Sequence, residues 1–118
     1  MMKHIVMFRR LPGMEQNVEL ETHLIQWMRD LPKDIDFVRD WKVSANELDR
    51  PICWDYLLES SFDDADAVQR YLPHPAHVAL ITELKTYFEW VAIDYTQDTD
   101  RQAALSPTSD AGIACPRH

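Results

Sequence analysis

The chain has 118 residues, the size of one domain, and a formal net charge of −8. Its acidic excess, with no basic stripe, argues against nucleic acid or an anionic membrane surface as a partner. Hydrophobic residues make up 46% and charged residues 27%, an ordinary balance for a folded domain, and no apolar run nears the ~20 residues that span a bilayer.

Lys3 to Arg10 reads as a strand rich in Ile, Val, Met and Phe, ended by Pro12-Gly13. Glu15 to Leu31 reads as a helix, with Leu20, Leu24, Trp27, Met28 and Leu31 at helical spacing and Pro32 as its breaker. Phe37 to Ser44 is a second strand, Asn46 to Pro51 a polar connector and Cys53 to Phe62 a third strand. Asp63 is the expected N-cap of a short helix ending near Leu72, with Asp64 and Asp66 favourable in its first turn. A longer helix runs from Pro75 to about Glu89, and Trp90 to Gln97 is the last strand.

The order β-α-β-β-α-α-β predicts an α+β, ferredoxin-like unit: a four-stranded antiparallel sheet with helices on one face. Residues 1–97 form this domain. Residues 98–118 lose all apolar periodicity and read as a disordered tail. Cys53 and Cys115 are too few for a disulfide framework and lack metal-ligand spacing. The chain opens directly on a strand pattern with no signal-peptide organisation, so a cytoplasmic location is expected.

Both faces of the sheet look apolar. In the first strand His4, Val6 and Phe8 point one way, Ile5 and Met7 the other; in the last, Val91, Ile93 and Tyr95 oppose Ala92 and Asp94. Helices cover only one face. A homodimer through Ile5, Met7, Val91 and Ile93 would hide the other. Trp27, Trp41, Trp54 and Trp90 are expected in the core or an interface.

The segment Tyr71-Leu72-Pro73-His74-Pro75-Ala76-His77 is the most informative in the chain. Pro75 suits the first helical position, which places His74 at the N-cap and His77 in the first turn. His77, Ile81, Leu84 and Phe88 then share one helical face. Val68, Tyr71 and Leu72 form the inward face of the preceding short helix. An imidazole and a phenol therefore point toward one interior, a pairing suited to acid–base chemistry on a small molecule. His74 and His77 are three apart but lack a clear third metal ligand. No nucleophile elbow, phosphate loop or dinucleotide fingerprint is present, the two glycines, Gly13 and Gly112, lying far apart.

Lys3-His4-Ile5-Val6, His74-Pro75-Ala76-His77 and Asp94-Tyr95-Thr96 together resemble the Dabb family, the stress-responsive dimeric α+β barrel proteins, over roughly Lys3 to Gln97. The resemblance implies two sheets packed into a barrel across a dimer. The family includes plant stress proteins, bacterial proteins of unknown role and polyketide cyclases of the olivetolic acid cyclase type, which close an aromatic ring by aldol condensation with no cofactor. It implies Tyr71 and His77 as the acid–base pair, Asp94 as a pocket carboxylate and His4 as a pocket-side histidine. Tyr56 stands where the cyclase type has a further pocket histidine, so the substrate is expected to differ.

The resulting expectation is a cofactor-independent cyclase or lyase for a small carbonyl compound. His77 would take a proton beside the carbonyl, Tyr71 would hydrogen-bond the enolate oxygen, and Asp94, for which His77 or His4 is the expected partner, would orient His77. His4, Val6, Phe8, Leu24, Tyr56, Leu58 and Phe88 would line the pocket, with no metal. The alternatives are a non-catalytic stress or ligand-binding dimer, in which these residues are structural, and a cofactor-free monooxygenase on the same fold, an analogy from fold alone.

Overall fold

A computed structural model describes residues 1–97. The expected tail, residues 98–118, lies outside the described residues. Four strands form one antiparallel sheet: β1 (Met2–Arg10), β2 (Asp40–Ala45), β3 (Tyr56–Phe62) and β4 (Phe88–Thr96), in the order β2-β3-β1-β4. Helices α1 (Val18–Asp30), α2 (Ala65–Tyr71) and α3 (Pro75–Leu84) connect them, and a 3-10 turn at Leu31–Asp34 follows α1. This is the expected α+β, ferredoxin-like arrangement.

Strand parity decides which side chains meet the helices. Val6 and Phe8 of β1, Leu58 of β3 and Phe88 of β4 are buried with Leu24, Ile25 and Met28 of α1, Val68 and Tyr71 of α2, and Leu80 and Leu84 of α3. The opposite parity stays open: Met7, Val91, Ile93 and Tyr95 are 42%, 47%, 60% and 42% exposed. Register places Ile93 opposite Ile5 and Val91 opposite Met7, so the open residues form one contiguous apolar surface.

Capping moves several expected boundaries. Helix α1 starts at Val18 rather than Glu15, because Asn17 accepts from the Leu20 N–H at 3.1 Å. Asp64, not Asp63, caps α2 by accepting from the Ala67 N–H at 2.9 Å. Asp63 instead accepts two hydrogen bonds from Arg39. Strand β2 begins at Asp40, after Phe37 and Val38 have turned in against the core. Strand β3 begins at Tyr56; Cys53 to Asp55 lie in the connector, tied down where the Asp55 N–H meets the Phe8 carbonyl at 2.8 Å. Helix α3 stops at Leu84. A turn at Lys85 to Tyr87 then lets Phe88 open β4, so Phe88 does not continue the helical face of His77.

Candidate active site

Pro73 separates α2 from α3, and Pro75 starts α3 at its first helical position. His74 caps that helix, its Nδ1 accepting from the Ala76 N–H at 3.1 Å. One turn in, the His77 Nδ1–H donates to the Leu72 carbonyl at 2.8 Å. That bond spans the α2–α3 corner and selects the tautomer whose Nε2 carries a lone pair. The Tyr71 ring lies 4.3 Å from the His77 ring, centroid to centroid, and 5.7 Å from that of His4.

These three rings sit on the wall of a cavity of about 320 Å³ between the sheet and the helices. Val6, Phe8, Leu58 and Ala92 form its floor; Met28, Leu72, Leu80, Ile81 and Leu84 form its roof; Trp41 and Trp90 stand at its sides. The cavity is polar at one end only. His4, Asp94, Tyr71 and His77 cluster there, whereas Phe8, Trp90 and Leu84 close the other, about 13 Å further along β1 by strand rise. No partner among the described residues hydrogen-bonds the Tyr71 hydroxyl, His77 Nε2 or His4 Nε2, and none of these atoms is sealed from solvent.

Burial pushes the His77 imidazole below its ordinary value, and nearby His4 and His74 push the same way, against the opposing pull of the Leu72 carbonyl. At neutral pH His77 is therefore an uncharged base. Burial raises Tyr71 well above the ordinary phenol value, so its hydroxyl is a hydrogen-bond donor and not a phenolate.

Seven of the ten expected site residues line this cavity: His4, Val6, Phe8, Leu58, Tyr71, His77 and Asp94. Leu24, Tyr56 and Phe88 do not. Leu24 is packed into the core under α1. Tyr56 donates to Glu21 at 2.5 Å, in a network where Arg10 grips the same carboxylate through two nitrogens and Tyr87 donates at 2.9 Å. Phe88 stacks edge-on against Tyr56 and Tyr87. Asp94 also changes partner. Register pairs it with His4, and its carboxylate meets His4 Nδ1 at 2.5 Å, so it orients His4 rather than His77.

The alternation Trp90, Ala92, Asp94 already places Trp90 and Ala92 beside Asp94, and the stripe through His77, Ile81 and Leu84 borders on Leu80, three residues after His77. Those wall residues were readable in the sequence. Nothing local marks Trp41, which reaches the wall only through the pairing of β2 with β3 and the donation of its indole N–H to the Met28 carbonyl at 3.0 Å. Among the described residues no group of three His, Cys, Asp or Glu side chains converges on a metal position.

Fold and cavity together define a ferredoxin-like α+β protein with a helix-side pocket. The stress responsive A/B barrel domain (Dabb) matches residues 2–97, and the chain belongs to that family. An uncharacterized Streptomyces coelicolor protein is 36% identical over 95 residues, covering 80% of this chain and 98% of the relative. A dimeric ferredoxin-like protein of unknown function from Bacteroides fragilis is 29% identical with a TM-score of 0.67, over 81% of this chain and 95% of that one. The hydroxynitrile lyase of Passiflora edulis has a TM-score of 0.71 at 17% identity, over 83% of this chain and 94% of that one, a likeness of fold alone.

Proposed function

We propose that this protein is a homodimer whose cavity binds a small carbonyl compound and acts on it, without a cofactor, as a cyclase or lyase. One observation carries the reading. The Tyr71 and His77 rings lie 4.3 Å apart, centroid to centroid, on the wall at the polar end of an otherwise apolar cavity, and neither the Tyr71 hydroxyl nor His77 Nε2 has a protein partner among the described residues. Both atoms are open to the cavity, so water or a ligand completes their hydrogen bonding, and a carbonyl compound can replace water at both. Its oxygen accepts from Tyr71, and the carbon beside it presents a proton to His77.

His77 removes that proton, Tyr71 stabilises the enolate oxygen, and the apolar end holds the remainder of the molecule. General acid–base catalysis of this kind contributes about 10²–10⁴-fold. The volume suits a substrate of roughly a dozen heavy atoms, near the lower limit of ~300 Å³ for small-molecule sites. Among the described residues no Lys or Arg lines the wall, which favours a neutral compound over a strong anion. A hydroxynitrile lyase among the structural neighbours is in keeping with carbonyl chemistry on this fold. Two cysteines, too few for a disulfide framework, fit a cytoplasmic setting, and no described helix is long and apolar enough to cross a membrane.

The test uses benzylacetone, a phenyl-substituted aliphatic ketone of suitable size, in D₂O. The protein is expected to catalyse exchange of the protons next to the ketone, followed by NMR. His77→Ala is expected to slow exchange at one of the two carbons beside the ketone tenfold or more, and Tyr71→Phe to slow it at both, as an order of magnitude. Exchange at the wild-type rate in both variants would contradict the assignment.

A further inference from the structure

We infer that His4, oriented by Asp94, is a second proton-transfer group of this cavity, independent of His77. The inference rests on the carbonyl reading above. Three observations carry it. His4 and Asp94 are direct register partners on β1 and β4 with both side chains turned to the helix side, and the carboxylate meets His4 Nδ1 at 2.5 Å. A carboxylate only accepts, so it fixes the proton on Nδ1 and leaves the lone pair on Nε2. The ring packs edge-on against Phe62 and Tyr71, at 6.3 and 5.7 Å, so its orientation is set by packing as well as by the hydrogen bond.

His4 is 6% exposed, whereas the Asp94 side chain is 48% exposed. The pair thus bridges the cavity interior and its mouth. A His–carboxylate unit of this kind is the base arrangement of hydrolytic triads, where the carboxylate sets tautomer and orientation and stabilises the imidazolium that forms. Among the described residues no Ser, Thr or Cys lines the cavity to serve as nucleophile. The reacting atom must come from the ligand. His77 is held by a neutral carbonyl instead, so the two imidazoles flank Tyr71 with different supports.

In the step assigned to His4, a C–H bond beside the carbonyl breaks. Its electron pair enters the enolate, whose oxygen accepts a hydrogen bond from Tyr71, and its proton forms an N–H bond at His4 Nε2. In D₂O the imidazolium trades that proton for a deuteron from water at the mouth. The deuteron then returns to the same carbon. His4 is the catalytic residue of this step and Asp94 its positioning residue.

Exchange of benzylacetone protons by the full-length chain tests the assignment. Because the two imidazoles flank Tyr71, each serves one of the two carbons beside the ketone; His4→Gln and Asp94→Asn are each expected to lower kcat for exchange at the carbon that His77 does not serve tenfold or more, with little change in KM. The double variant is expected to be no slower than the worse single one, because the two residues act as a unit. Asp94→Glu, which keeps the carboxylate, should restore much of the loss, and His77→Gln should slow either variant further. A merely structural pair would lower melting temperature without this pattern of rescue and non-additivity. Wild-type turnover in Asp94→Asn, or losses at His4 and Asp94 that multiply independently, would overturn the inference and leave the His77–Tyr71 proposal standing. No exchange by the wild-type protein would contradict both.

Discussion

At the scale of single residues, the Tyr71 hydroxyl separates a functional wall from a structural one. It has no protein partner among the described residues to lose, and Phe conserves its volume. Tyr71→Phe should therefore change stability by less than about 0.5 kcal/mol in a urea melt, far below a core truncation. A loss above about 1 kcal/mol would mean that the hydroxyl holds the fold together. His77 makes a pH prediction. Its folded-state value lies below the ordinary 6.5, so the unfolded chain takes up the proton first. Its contribution to stability is complete above pH 6.5 and declines as the pH falls from there through the folded-state value. His77→Phe should flatten that part of the melting-temperature profile. An unchanged acid slope would show that His77 is not buried as a neutral ring. Sequence left both His77 and His4 open as partners of Asp94, because it gives the parity of a strand but not the register that sets Asp94 opposite His4.

At the scale of elements, the strand and helix order was readable because hydrophobic period switches cleanly between strand and helix, with prolines at the joints. The boundaries were not, and each shift has a local cause. Asp63 and Asp64 look equivalent in the sequence, yet only Asp64 reaches the Ala67 N–H, while Asp63 pairs with Arg39 from a preceding loop. Asp64→Ala should cost about 1 kcal/mol, as a lost N-cap. Asp63→Ala should leave the melt almost unchanged, since its ion pair is exposed. The reverse ranking in thermal melts would reject the capping assignment. Tyr56 failed as a pocket residue for a related reason. Glu21 is buried on α1 and takes hydrogen bonds from Arg10, Tyr56 and Tyr87, which outweigh the opposing effect of burial and hold its carboxyl below the usual range. A carboxylate on a helix facing a tyrosine on a strand is a long-range pairing that no local pattern announces. Glu21→Ala should cost on the order of 3 kcal/mol by leaving the Tyr56 and Tyr87 hydroxyls without their acceptor and Arg10 with Asp55 alone.

At the scale of the whole molecule, the helices cover one sheet face and leave Met7, Val91, Ile93 and Tyr95 open on the other. This asymmetry was legible from strand alternation, and the Bacteroides fragilis neighbour is dimeric. Light scattering at low micromolar concentration is expected to give twice the chain mass of 13.9 kDa, and Ile93→Glu to give folded monomer. A wild-type monomer would contradict the dimer proposal. The central claim concerns the other face of the sheet, where one cavity gathers Tyr71 and His77 at its polar end. Its most direct test is difference density in crystals of the protein soaked with benzylacetone. The account predicts the ketone oxygen within hydrogen-bond reach of the Tyr71 hydroxyl, the adjacent carbon within about 3.5 Å of His77 Nε2, and the phenyl ring toward Trp90 and Leu84. An empty cavity, or a ligand bound with its ketone away from both residues, would contradict it.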